Sequence, residues 1–225
     1  MTLDDLVASD MGEERAREGR RARHAVARLE AFSDGVFAIA ATLLVLDLTV
    51  GELGPVATDS DLWNGLVSLG PDLLAFVVSF LLLCLLWWLH TRAFDDVVRV
   101  DRPFVALNSL RLLGVVLIPF TTSISSAHAD LTTGAVYFAV NYFAVVAIGA
   151  AQHWYATSPR RGLVADMTDA EKRATRQASL SAVILAFIAL LLSPIAGTLA
   201  FLVFALDPFL TRRLGGSTSV SGAAG

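Results

Sequence analysis

The sequence predicts an all-α integral membrane protein with six transmembrane helices per chain. Of its 225 residues 55% are apolar and only 17% charged. The mean hydropathy of +0.63 is too high for a soluble domain of this size. Windows of ~20 apolar residues, enough to cross a hydrocarbon core of ~30 Å as a helix, recur along the chain. The basic residues, finally, alternate with these windows in a way that sorts them to one side.

The first span, 28–50, opens RLEAFSDGVFAIAATLLVLDL, with three charged residues at its head and an apolar run behind them. The second covers 66–91, the third 103–122 and the fourth 131–153. The apolar stretch 174–210 is too long for one crossing at ~1.5 Å per residue. Ser193-Pro194 and Gly197 divide it into spans 172–193 and 195–211. Residues 1–27 are expected to be a partly disordered tail, and 212–225, ending GGSTSVSGAAG, a second disordered tail. No apolar core suits the N-terminal stretch to a signal peptide, so the first span is expected to direct insertion.

All 17 Lys and Arg fall on one side of this layout. They lie in the N-terminal tail and first-span entry, around Arg92–Arg111 and Arg160–Arg176, and at Arg212 and Arg213. The opposite loops carry Glu52, Asp59, Asp61, His128 and Asp130. Both termini are therefore expected in the cytoplasm of a multi-pass protein of the cell membrane. Topology alone explains the arginines, so no nucleic-acid partner is expected. The net charge of −4 conceals two faces of opposite sign.

Cys84 is the single cysteine, which excludes a disulfide framework and a thiolate metal site. His24, His128 and His153 lack ligand spacing with one another, so no metal is expected. No P-loop, GxSxG, HExxH, GxGxxG or TVGYG stretch is present. No catalytic set shares one depth, so the chain is not read as an enzyme, and no cofactor is implied. Trp87-Trp88 and Trp154-Tyr155 read as interfacial belt residues, Pro119 as a kink or helix terminus, and Asn141 as an interhelical hydrogen bond.

Ionisable and amide groups inside a membrane need partners or a task. Asp34, His90, Asn108 and Arg111 lie near the cytoplasmic ends of spans one to three at similar depth. One reading is an interhelical clamp in which Asp34 pairs with His90 or Arg111. The other is a proton relay or ion site, which in its sharpest form is a proton-coupled carrier using Asp34 and His90.

Helical geometry separates Asp34 from the rest of its span. At ~100° per residue Ile39, Leu43 and Leu46 form one stripe, from which Asp34 is turned by about 140°. Thr42 and Asp47 flank the stripe. Thr42 either bonds back to its own helix or touches whatever the stripe faces. Asp47 is either a plain interfacial residue or part of a carboxylate ring at a pore mouth. Gly35, Ala38, Ala40 and Ala41 suit close packing, so the first span is expected to be covered by protein all round. An Ile/Leu stripe at this spacing serves equally as a packing seam of a non-transporting scaffold.

Arg28-Leu-Glu-Ala-Phe32-Ser33-Asp34 fits an RxxxFSD signature, and GVFAIAATLLVLDL follows it. With Trp88-Leu-His90, Phe94, Asp101, Asn108 and Pro119-Phe120, this resembles the transmembrane protein 175 family over residues 28 to about 122. That family comprises potassium-permeable channels of lysosomes and many prokaryotes. The resemblance implies a homotetramer in the lipid bilayer whose first helices line a central pore, with K+ as the permeant ion and no filter loop. A single unrepeated six-span copy fits the prokaryotic form. It implies Ile39 as the constriction, Leu43 and Leu46 as further apolar layers, and Thr42 as a selectivity position. Arg28, Phe32, Ser33 and Asp34, with His90 and Asn108, are implied as the structural bracket that holds the pore helix, and Arg111 joins them by its depth alone. The expected function is thus a cation channel with modest K+ over Na+ selectivity and an apolar gate.

Overall fold

The structure is a computed structural model that describes residues 3–48, 55–165 and 167–206. Six α-helices and two 3-10 segments account for most of these residues. Helix α1 spans Leu3–Leu43 and passes into a 3-10 turn at Leu44–Asp47; α2 covers Asp59–Ser68 and α3 Gly70–Asp95. Then follow α4 (Arg102–Ala127), α5 (Thr132–Ala156), α6 (Asp169–Ala196) and a 3-10 segment at Gly197–Leu206. Five stretches are long and apolar enough to cross a membrane: Asp10–Leu46, Gly70–Asp95, Arg102–Ala127, Thr132–Ala156 and Asp169–Phe204. The fifth of these joins the two spans expected at 172–193 and 195–211, of which residues 207–211 lie outside the described residues.

The tail expected over 1–27 is helical from Leu3. Glu, Arg and Ala dominate residues 13–27, and all three favour helix. Arg17 also donates to Glu13 one turn back at 3.1 Å. A 41-residue helix is roughly 60 Å long, about twice the hydrocarbon thickness, so α1 projects well beyond the bilayer. The tail expected at 212–225 lies outside the described residues.

Helix α2 lies in the stretch expected as a loop. Thr58 caps it: its hydroxyl accepts from the Asp61 N–H at 3.2 Å, and the Asp61 carboxylate accepts from the Thr58 N–H at 2.9 Å. The Thr58 hydroxyl, followed by the backbone N–H groups of Ala57 and Thr58, holds the Asp61 carboxyl below its usual pKa. Gly70-Pro71 then starts α3, because Pro71 occupies the first turn where no intrahelical N–H is required.

Pro119, read as a kink or helix terminus, does not end its helix, and Pro194, expected to help divide the last apolar stretch, also lies inside one. Helix α4 continues through Pro119 to Ala127, and α6 through Pro194 to Ala196. Proline at 194 has no N–H for the Leu190 carbonyl, and the Ser193 hydroxyl donates to that oxygen instead at 2.8 Å. The chain reverses at Gly197, whose φ of 54° is a conformation that glycine adopts without steric cost. The segment after it packs back on α6 and α5, with Phe201 edge-on to Phe138 and Tyr142 at 5.0 and 5.2 Å.

The main core lies between α1, α3, α4 and α5 and includes Phe37, Ala40, Leu44, Leu83, Leu86, Val115, Ile118 and Tyr142. A smaller core of Val26, Phe94, Val97, Phe104, Ala156 and Leu163 closes the basic end. There the α3–α4 and α5–α6 connections pair through one antiparallel bridge, Val97 with Val164. The Ala165 N–H donates to the Asp96 carbonyl at 2.8 Å. This second core fixes the entry of α1, since Val26 is part of it.

Candidate pore helix and its polar bracket

The residues that α1 buries recur at helical spacing: Val26, Ser33, Phe37, Ala40 and Leu44. This face packs on α3 and α4. On the other side Ile39 is 62% and Leu46 65% exposed, with Leu43 and Thr42 exposed between them. Among the described residues α1 is therefore covered on one face only, and the all-round cover expected of it is not supplied by them. The small residues Gly35 and Ala38 share the open side. The lipid-type faces of α3 and α4 instead carry bulky residues such as Leu81, Leu113 and Phe120. Thr42 donates to the carbonyl of Ile39, three residues back, at 2.8 Å, which leaves its oxygen lone pairs on the open side. Asp47 ends the 3-10 turn, and its side chain lies outside the described residues.

The polar groups near the basic ends of α1, α3 and α4 meet as three separate sets. In the first, the Asn108 amide donates to Ser33 Oγ at 3.0 Å, and Ser33 donates to the Leu29 carbonyl at 2.9 Å. Gln152 on α5 donates to Asn108 Oδ1 at 3.2 Å. Ser33 and Asn108 are fully buried, so this chain of amides and hydroxyls joins α1, α4 and α5 where no water competes. In the second, Arg111 lies 3.0 Å from His90 Nδ1 and donates to the Leu86 carbonyl at 3.2 Å, linking α4 to α3. The His90 ring is enclosed by Phe37 at 5.4 Å and Phe94 at 4.5 Å.

Asp34 belongs to neither set. It is half-buried at the α1–α3 seam and accepts from the indole N–H of Trp87 at 2.9 Å. The expected pairing of Asp34 with His90 or Arg111 is thus corrected. The cation and imidazole pair with each other, and the carboxylate takes a neutral donor. A proton-coupled carrier built on Asp34 and His90 loses the direct contact it needs. Trp87 is correspondingly not a free belt residue, whereas Trp88 carries the Arg92 guanidinium over its ring at 4.6 Å. Arg28 and Phe32, read as members of the bracket, stand exposed on α1 and engage none of these sets.

Gln152 and Trp87 escaped the sequence reading. An amide inside the fourth apolar window was a signal for the first. A tryptophan one turn before His90 carried none. Asn141 does make the expected interhelical bond, donating to the Gly114 carbonyl at 3.1 Å. At the opposite end Thr122 donates to Ser79 at 3.0 Å, and Ser126 donates to Asp72. Among the described residues no group of His, Cys, Asp and Glu could hold a metal.

A bundle of long apolar helices, tied by buried polar bonds and ending in a basic face, defines a multi-pass α-helical membrane protein. Residues 28–119 match the family model described as endosomal/lysosomal potassium channel TMEM175. A potassium channel of Streptomyces collinus is 44% identical over 102 residues, covering 45% of this chain and 48% of that protein. One from Chamaesiphon minutus is 45% identical over 101 residues, covering 45% and 49%. The chain thus spans about half the length of the curated relatives it matches. The mouse endosomal/lysosomal proton channel TMEM175 is 30% identical over 138 residues, 61% of this chain and 26% of that protein. Among solved structures, a lysosomal potassium-selective channel TMEM175 homolog from Chamaesiphon minutus superposes with a TM-score of 0.69. It has 30% identity and covers 87% of this chain and 100% of that one. The chain belongs to the TMEM175 family.

Proposed function

We propose that the protein is a potassium-permeable cation channel in the cell membrane, assembled as a homotetramer around a central pore lined by α1. The observation that carries this is the uncovered stripe of Ile39, Leu43 and Leu46, turned away from the buried face of the same helix. A fourfold axis in front of the stripe would cover it and complete the partial burial of α1. The family model that matches through this segment, over residues 28–119, is described as a potassium channel. In this reading the channel domain is 28–211, with six spans and both termini cytoplasmic. Ile39 forms the constriction, Leu43 and Leu46 further apolar layers, and Thr42 and Asp47 the polar positions beside and beyond them. The bracket of Ser33, Asn108, Gln152, His90 and Arg111 sets the rotation of the helix without meeting the ion.

An apolar neck passes ions only when wetted, and favours the cation that sheds water more cheaply. Selectivity for K+ over Na+ is accordingly modest. Electrical recording of the purified protein in a planar bilayer, K+ on one side and Na+ on the other, tests the reading. Single-channel steps with a reversal potential shifted toward that of K+ are expected. A flux that saturates and follows a proton gradient, without steps, overturns it. Ile39→Asn is expected to raise conductance and erode selectivity, and unchanged permeation would remove Ile39 from the neck. Because relatives of this family in vertebrates are named proton channels, a second reading is proton permeation through the same pore. A reversal potential that follows a pH gradient at equal K+ distinguishes it.

A further inference from the structure

At the basic end of the bundle a cavity of about 550 Å³ opens between α3, α4, α5 and α6. Arg111, His153, Arg92, Leu89, Val146 and Ala178 are among its walls. Arg111 is only 4% exposed and His153 only 7%. A guanidinium carries five N–H donors and remains charged. Among the described residues Arg111 meets two acceptors, His90 Nδ1 and the Leu86 carbonyl, neither of them an anion. Its Nε has no partner, and neither has His153 Nε2. No carboxylate lies within ion-pair distance of Arg111 among the described residues. A buried cation without a counter-charge costs several kcal/mol, so the site is complete only with an anion.

Gly149 explains how the guanidinium reaches this position: an added Cβ there would stand 3.0 Å from Arg111 Nε. At the cavity mouth Arg92 is exposed and held over Trp88, so a second cation faces whatever enters from the bilayer surface. The α6 wall is small and mildly polar, with Ala174, Thr175, Ala178 and Ser179. Leu86, Leu89 and Val146 make the remainder mainly apolar. Such a volume exceeds what a bare oxyanion fills and suits a small amphiphile. Basic pockets between transmembrane helices on the cytoplasmic side are where acidic head groups are held.

We propose that this cavity binds an anionic phospholipid, with the phosphate between Arg111 and Arg92 and the proximal chain along the Leu89–Val146 wall. The site is distinct from the stripe on α1 and does not depend on it. The test is thermal unfolding of the purified full chain in neutral detergent. The probes are dioctanoyl phosphatidylglycerol, dioctanoyl phosphatidylcholine and inorganic phosphate. The glycerol lipid is expected to raise Tm by about 3 °C at saturation, and the other two by under about 1 °C. Arg92→Gln, which removes the mouth charge, and Ala178→Leu, which fills the cavity from the α6 wall and leaves both arginines in the sequence, are each expected to raise the half-saturating concentration about tenfold. Equal response to the two lipids, or a response indifferent to Ala178→Leu, would overturn the proposal. So would stabilisation by phosphate alone equal to that by the glycerol lipid, which would assign the charge to a free ion.

Discussion

On α1, Ser33, Phe37, Ala40 and Leu44 are all 3% exposed or less, while Ile39 and Leu46 on the opposite side exceed 60%. The first set faces α3 and α4 and includes the hydroxyl that Asn108 binds. The second stands largely uncovered among the described residues. A helix that merely fills a core is covered on both sides, and one that faces lipid carries bulky residues. Here Gly35, Ala38 and Thr42 stand among the exposed aliphatics. The contrast teaches that one face positions the helix and the other is left to a second surface, so substitutions on the two faces should have effects of different kinds.

Leu44→Ala offers the strongest way to break that division. It empties a site with no exposed surface, and a loss of about 2–5 kcal/mol is expected in unfolding measurements. Its neighbour Leu43→Ala is expected to alter conductance with a stability change within about 0.5 kcal/mol. Equal destabilisation by the two would show both faces packed within the chain. Asn108→Ala comes next. It strips Ser33 and Gln152 of a partner inside the bundle and is expected to cost about 1–3 kcal/mol, read as a lower Tm.

Trp87→Phe removes only the donor to Asp34 while keeping most of the ring, so a loss near 1 kcal/mol is expected. A drop much larger than that would mean Asp34 braces more than the α1–α3 seam. The smallest effect belongs to Thr42→Val. Among the described residues the hydroxyl bonds only within its own helix, and stability should stay within about 0.5 kcal/mol of the parent. Any change in ion preference then reports on the open face alone.

Several of these features were legible before any coordinates. The stripe of Ile39, Leu43 and Leu46 and its turn away from Asp34 followed from helical period, because a residue's angle around a helix axis depends only on its number. The bracket was half legible. Asn108, His90 and Arg111 stood out as costly groups at one depth, but their pairing did not. Asp34 meets Trp87 because α1 and α3 bring those side chains to the seam between them. His90, three residues further on, faces inward toward Arg111. Proline misled at 194, where a serine hydroxyl one residue earlier takes over the orphaned carbonyl and the helix runs on to Gly197.

The sequence by itself determined the membrane class, the apolar stretches and the Ile39, Leu43 and Leu46 stripe of α1. These depend on hydropathy, length and period, which are properties of short stretches of chain. Only the tertiary structure decided which polar group pairs with which, and that Arg111 lies against Gly149 on a cavity wall with no counter-charge among the described residues. Those outcomes depend on helix rotation and separation, which many sequences satisfy equally and only packing selects.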